Sequence, residues 1–295
     1  DRTLQGSTIN FGNTLTGTAS HDLIITGALN LDGAATNIVD LSVSTTSDLG
    51  ANVTTSGTQQ YDGVTTLSTN VTLTTTDSNV TFNDKVISEG ETNRNLTIDT
   101  NGNTGTVVFG NGTTDTVGVT NGYDLGVIDI TGNLDLNAAI GNGATAGATS
   151  IEVSGISNLG ADVTTSSTQT YTGAVTLSGG DRTLQGSTIN FGNTLTGTAS
   201  HDLIITGALN LDGAATNIVD LSVSTTSDLG ANVTTSGTQQ YDGVTTLSTN
   251  VTLTTTDSNV TFNDKVISEG ETNRNLTIDT NGNTGTVVFG NGTTD

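Results

Sequence analysis

Apolar and polar residues alternate along this chain in short bursts. Val71 and Leu73, Leu96 and Ile98, Ile128 and Ile130, Leu134 and Leu136, and Ile151 and Val153 are pairs separated by a single Thr, Asp or Glu. A period of two puts each apolar pair on one face of an extended segment and the polar residue on the other, which is the pattern of a half-buried strand. The bursts run about four to six residues and are separated by Gly, Asn, Asp and Ser, the residues that tight turns require. No window keeps the spacing of three and four that an amphipathic helix needs. The pattern predicts an all-β chain with helix nearly absent.

The bursts recur in a fixed order. Residues 181–295 match residues 1–115 at every position, so the chain holds about 1.6 copies of a 180-residue period. It begins and ends mid-period, and the expectation is that it samples a longer natural chain. Inside one period a second duplication is visible. "DLGANVTTSGTQQYDG" (48–63) matches "NLGADVTTSSTQTYTG" (158–173), which divides the period into a long module, 61–170, and a short one, 171–240, that crosses the boundary. "SNVTF" (78–82) answers "STINF" (187–191), and "NLTIDT" (95–100) answers "DLIITG" (202–207). "IDITGNLDL" (128–136) answers "LIITGALNL" (203–211) as well.

Modules of 110 and 70 residues that keep one rhythm point to a fold built by stacking, which absorbs insertions as extra layers. The expected architecture is a parallel β-solenoid of about 20-residue coils, with residues 1–180 as one full repeat of about nine coils and 181–295 as a partial second repeat of the same continuous solenoid. Each coil pairs its backbone with the coils on either side, apolar side chains line the interior, and Thr forms ladders outside. At about 4.8 Å per coil, one repeat rises roughly 43 Å and tandem repeats make a rod. Separate immunoglobulin-like sandwiches are the competing reading, but they want Trp, Pro and some 90–100 residues each.

Composition sharpens this picture. Of the first 180 residues 38 are Thr, and Pro, Cys, Met and Trp are absent; Thr favours strands. The net charge of −23 arises because Lys and Arg number only six. A surface so acidic repels nucleic acid and anionic membranes. Absence of Cys excludes a disulfide framework and thiolate metal sites, and it suits export in an unfolded state.

At "QTYTGAVTLSGGDRTLQGSTINFGNTLTG" (169–197) the chain resembles the repeats of filamentous-haemagglutinin-type bacterial exoproteins and adhesins. There a Tyr–x–x–x–Val–x–Leu phrase leads to an apolar–x–Phe phrase and then to a Leu–x–Ile phrase. The resemblance runs through both modules. It implies a right-handed parallel β-helix, extracellular or on the cell surface, that serves attachment.

Candidate chemistry is sparse. His21 and its copy His201 each lie in "SHDL", but adjacent residues on a strand point to opposite faces and do not converge as a triad. The segment "NDKVISEGETNR" (83–94) gathers Lys85, Glu89, Glu91 and Arg94, the densest mixed charge in the repeat, and reads as an outward loop, either simply solvated or a place for partner contact. "LNAAIGNGATAGATS" (136–150) reads as a flexible loop of small residues. "DTNGNTGT" (99–106) and "GNGTTDT" (110–116) raise calcium, although neither has the twelve-residue EF-hand ligand pattern, and turn chemistry accounts for both. No other cofactor is implied. Asn52, Asn70, Asn79, Asn95 and Asn111 head N-x-T triplets, and Asn at equivalent corners of successive coils can form hydrogen-bonded ladders. Tyr61, Tyr123, Tyr171, Phe11, Phe82 and Phe109 are read as large interior plugs or corner caps.

The expected function is structural and adhesive: a non-enzymatic fibre segment that attaches to cell-surface or matrix components, glycans among them, or to sister fibres, with no membrane insertion in this segment. A polysaccharide-active enzyme on a parallel β-helix is the first alternative. An ice-binding solenoid with Thr ladders such as "VTLTTT" (71–76) is the second.

Overall fold

The computed structural model describes residues 1–102, 104–112, 114–118, 123–198 and 200–290. Residues 291–295 of the partial second repeat lie outside the described residues. Among those described there are strands and turns and no helix. Every strand pairing is parallel, and strands pair with partners about three elements along the chain rather than with the next one. Three short strands therefore complete one coil, and the fold is the expected β-solenoid. The β-branched Thr, Val and Ile fit the pleated surface, and Gly, Asn and Asp take the corners.

The chain forms two compact units, Asp1–Ser157 with Ala161–Ser166, and Asn158–Gly160 with Ser167–Asp295. In the first unit three ladders run inward. One stacks Ile25, Val43, Tyr61, Phe82, Phe109 and Leu136. A second stacks Leu31, Leu49, Leu67 and Ser88 beside Ser47, Thr65, Val86, Val117 and Ile140. The third carries Ala35, Val53, Leu73, Ile98, Ile130 and Val153. Tyr61, Phe82 and Phe109 stack ring on ring at 5.3 Å. Each fully buried apolar side chain of this kind contributes about 1.5–3 kcal/mol. These ladders are the core.

Coil length is set by what the corners hold. Val43 to Tyr61 is 18 residues along the chain, Tyr61 to Phe82 is 21, Phe82 to Phe109 is 27, and Ile98 to Ile130 is 32. The strands stay paired throughout, so the surplus goes into turns. "LNAAIGNGATAGATS" corrects the expectation of a flexible loop. Leu136, Ala138, Ile140 and Ala148 are buried, and only the turn between Ile140 and Ala148 stands clear of the strands. The Asn142 carboxamide closes that turn by accepting the Thr145 N–H at 2.7 Å.

In the second unit one ladder stacks Tyr171, Phe191, Leu211, Leu229 and Leu247. Another stacks Leu184, Ile205, Val223, Tyr241, Phe262 and Phe289. Tyr171 and Tyr241, which occupy matching phrases in the sequence, thus stand in different ladders. The identical halves of the chain also differ in burial. Phe109 is 0% exposed beneath Leu136, whereas its copy Phe289 is 60% exposed. Phe11 is half-buried, and its copy Phe191 is fully buried against the Tyr171 ring at 5.7 Å. Burial here is conferred by the adjacent coil.

Candidate functional site

Corner side chains bind one coil to the next. Asn52 accepts the Thr72 N–H at 2.8 Å, Asn70 accepts that of Asn95 at 3.0 Å, and Asn95 accepts that of Val127 at 2.9 Å. Asn79 likewise accepts the Thr106 N–H at 2.9 Å. The Asn of these triplets therefore caps the start of a strand in the following coil. A second corner uses aspartate. Asp1 accepts the Asp22 N–H at 3.2 Å, Asp22 accepts that of Asp40 at 3.3 Å, and Asp40 accepts that of Thr58 at 2.5 Å. A carboxylate accepting backbone donors in this way satisfies groups the turn would otherwise leave unpaired.

His21 sits at the aspartate corner, with Nδ1 4.0 Å from Asp1, and His201 stands 3.7 Å from Asp181. The carboxylate near each imidazole belongs to the preceding coil, not to the neighbouring Asp of "SHDL". A cleft of about 300 Å³ beside His21 is lined by Arg2, Leu15, Leu23 and Ile38. In the second unit the matching Arg182, Leu195, Leu203 and Ile218 are 8%, 2%, 0% and 0% exposed. The cleft is the open side of a coil.

The charged loop is outward, as its composition predicts. Lys85 enters the strand Val86–Ser88, Glu89 and Glu91 are exposed in the turn that follows, and Arg94 opens the strand Arg94–Asp99, half-buried. Gly90 turns the chain with φ +62°. Ser88 closes the loop, its Oγ accepting the Arg94 N–H at 2.9 Å and donating to the Asp124 carbonyl at 2.7 Å. No ion pair joins Lys85, Glu89, Glu91 and Arg94 to one another. The copy repeats the arrangement, with Ser268 accepting the Arg274 N–H at 3.0 Å and Gly270 at φ +59°. Burial raises the Asp124 carboxyl above its ordinary range. The exposed charges of Lys85, Glu89 and Glu91 can engage a partner electrostatically, with Arg94 half-buried at the base of the loop.

Tyr123, read as an interior plug or a corner cap, is 46% exposed beside this loop. It fills no interior space, because its backbone carbonyl accepts the Ser88 N–H while the next buried residue is Leu125.

Among the described residues no group of three His, Asp or Glu converges as a metal site. Asn103 and Thr113, within the two segments that raise calcium, lie outside the described residues. The acids around them serve turns. Asp77 accepts the Thr104 and Gly105 N–H groups at 2.8 and 3.1 Å, and Asp115 accepts those of Asn111 and Gly112, each at 2.9 Å.

Alternation alone does not reveal the interior polar cluster. Tyr61 donates to Gln59 Oε1 at 3.0 Å, and Gln59 Nε2 donates to the Thr74 carbonyl at 3.0 Å and to Thr55 Oγ1 at 3.2 Å, all with Gln59 and Tyr61 fully buried. Its one legible trace is the phrase Thr–x–x–x–Gln–x–Tyr, with Gln and Tyr both on the inward phase. No protein-family model matches this chain, and no curated protein and no solved structure matches it.

Proposed function

We propose that this chain is a structural and adhesive repeat segment of a long extracellular or cell-surface fibre, of the kind its phrases resemble in filamentous-haemagglutinin-type exoproteins. The observation that carries the reading is the parallel winding itself. Each coil satisfies its backbone and its apolar side chains against its neighbours, so a duplicated sequence adds coils, at about 4.8 Å each, without needing a new core. Repetition then gives reach, and outward loops such as Lys85–Arg94 recur along it, so weak contacts with cell-surface or matrix components, glycans, or sister fibres sum to avidity. In this reading the chain is not an enzyme.

Electron microscopy of the intact protein tests the fibre: a thin unbranched filament is expected, and a compact particle overturns the proposal. Incubation with neutral and acidic polysaccharides is expected to leave their chain lengths unchanged. Shortened products would restore the enzymatic alternative.

A further inference from the structure

We infer that the repeat carries a self-modifying corner, Asn101–Gly102 and its copy Asn281–Gly282, where the asparagine side chain converts to a carboxylate by reacting first with its own backbone and then with water. The chemistry belongs to asparagine followed by glycine, because Gly has no Cβ to keep its nitrogen away from the asparagine carboxamide. Six such pairs stand in the sequence, beginning at Asn101, Asn111, Asn121, Asn142, Asn281 and Asn291. Asn121 and Asn291 lie outside the described residues. The dipeptide is the same in the other four, and the structure separates them.

In the reaction the Gly102 backbone nitrogen gives its proton to solvent hydroxide and attacks Asn101 Cγ. A C–N bond forms, the bond from Cγ to Nδ2 breaks, and Nδ2 takes a proton from solvent and leaves as ammonia. The cyclic imide left behind adds one water at either carbonyl and opens to aspartate, or to the isomer whose main chain runs through the side-chain carbon. One water is consumed and one ammonia released. Two conditions follow: the carboxamide must be able to turn, and the next backbone N–H must not be held by an acceptor.

Asn142 fails both. Its Oδ1 accepts the Ala144 and Thr145 N–H groups at 3.1 and 2.7 Å, and the Gly143 N–H donates to Thr164 Oγ1 at 3.2 Å. Asn111 fails the second, because the Gly112 N–H donates to Asp115 at 2.9 Å. Asn101 meets both. It is exposed in a turn at φ +50°, and its backbone N–H donates to Asp99 at 2.8 Å. Among the described residues neither its carboxamide nor the Gly102 N–H has a hydrogen-bond partner. Asn281 repeats this, at φ +48° and with its N–H on Asp279 at 2.8 Å. Conversion sets a new carboxylate beside Asp99, so the repeat gains negative charge at a fixed corner as it ages, and like charges this close weaken the turn.

Folded protein of residues 1–295, held in heavy-oxygen water at mildly alkaline pH and then digested in ordinary water, tests the assignment by peptide mass spectrometry. The heavy oxygen marks only conversions that precede digestion. Label is expected at Asn101 and Asn281 at least about tenfold faster than at Asn142, the factor set by the hydrogen bonds that Asn142 and Gly143 must first break. In denaturant those bonds are gone, and the three sites should convert within about twofold of one another. Equal rates in the folded protein, or no label at Asn101 and Asn281, overturns the inference. Slow conversion of Asn142 that persists in denaturant also overturns it, since the difference would then lie in the flanking sequence and not in the fold.

Discussion

Tyr61 brings a hydroxyl into the fully buried interior of the solenoid, and Gln59 makes that tolerable. A buried hydroxyl without a partner is penalised by about 1–3 kcal/mol, so the contact with Gln59 Oε1 removes a penalty more than it adds a bond. The same pair recurs as Tyr171 with Gln169 at 3.2 Å and Tyr241 with Gln239 at 3.1 Å. Burial raises the ionisation of all three tyrosines far above the ordinary value of 10.0. The folded state then keeps protons that the unfolded chain releases. Stability is full below pH 10 and falls as pH rises beyond it, by about 1.4 kcal/mol per pH unit for each buried tyrosine. In a spectrophotometric titration Tyr61, Tyr171 and Tyr241 should ionise only together with loss of the β-sheet signal. Ionisation of these three in protein that keeps its β-sheet signal would contradict the buried network. The Gln59 pairing also sets the expected outcome of Gln59→Leu: it strands the Tyr61 hydroxyl and should lower stability by about 1–3 kcal/mol in denaturant unfolding.

A strand in this protein is worth what its neighbours cover, and the duplicated sequence provides the control. Phe109 and Phe289 share their local sequence but differ from 0% to 60% exposure. In a polypeptide of residues 1–295, F109A should therefore destabilise by about 3–5 kcal/mol, while F289A should change stability by less than about 1 kcal/mol. Equal losses in thermal or chemical unfolding would mean that stacking by the adjacent coil is not what buries the ring. Corners act at the same scale. The strand Leu203–Leu211 serves two ladders by bending at Gly207, whose φ is +145° and where an added Cβ would meet the Gly186 carbonyl oxygen at 2.0 Å. G207A should displace one coil from the next. G143A, at φ +79° with nothing within 4 Å, should lose only about 1 kcal/mol of backbone preference. This bend shows where the sequence was readable and where it was not. "DLIITGALNL" reads as alternating strand, and Leu203, Ile205, Leu209 and Leu211 are inward as that alternation demands. Nothing in the alternation says that Gly207 sends the two halves to different ladders, because period two encodes inside against outside and carries no information about direction around the coil. The charged loop was legible because Lys85, Glu89, Glu91 and Arg94 crowd four charges into ten residues, more than an apolar stack accommodates together. The Gln–Tyr cluster was not, because Gln on the inward phase looks like an outward residue out of step.

For the molecule as a whole, stability that passes between stacked neighbours predicts how it responds to a cut. Each coil in a repeat architecture is held by the coils on both sides, so a turn can open or be severed while its strands remain paired. Glutamate supplies a selective probe. Glu89 and Glu91 lie in the exposed turn after Val86–Ser88, and Glu269 and Glu271 in its copy. Glu152 also turns its side chain outward, but its backbone lies in the strand Ala148–Val153, in register with Asp129. A glutamyl endopeptidase must draw an extended stretch of substrate into its cleft, which the turn can supply and the ladder cannot without unpairing. Native digestion should therefore cut at 89–91 and 269–271 and spare Glu152. Cleavage at 89–91 falls inside the first unit, where Tyr61, Phe82 and Phe109 stay stacked across the nick. The nicked chain should elute from gel filtration as one species with its circular dichroism intact, and separate into fragments only in denaturant. Cutting at Glu152 as fast as at Glu91, or fragments that part company in native buffer, would show that the coils are held by the continuity of the chain and not by one another.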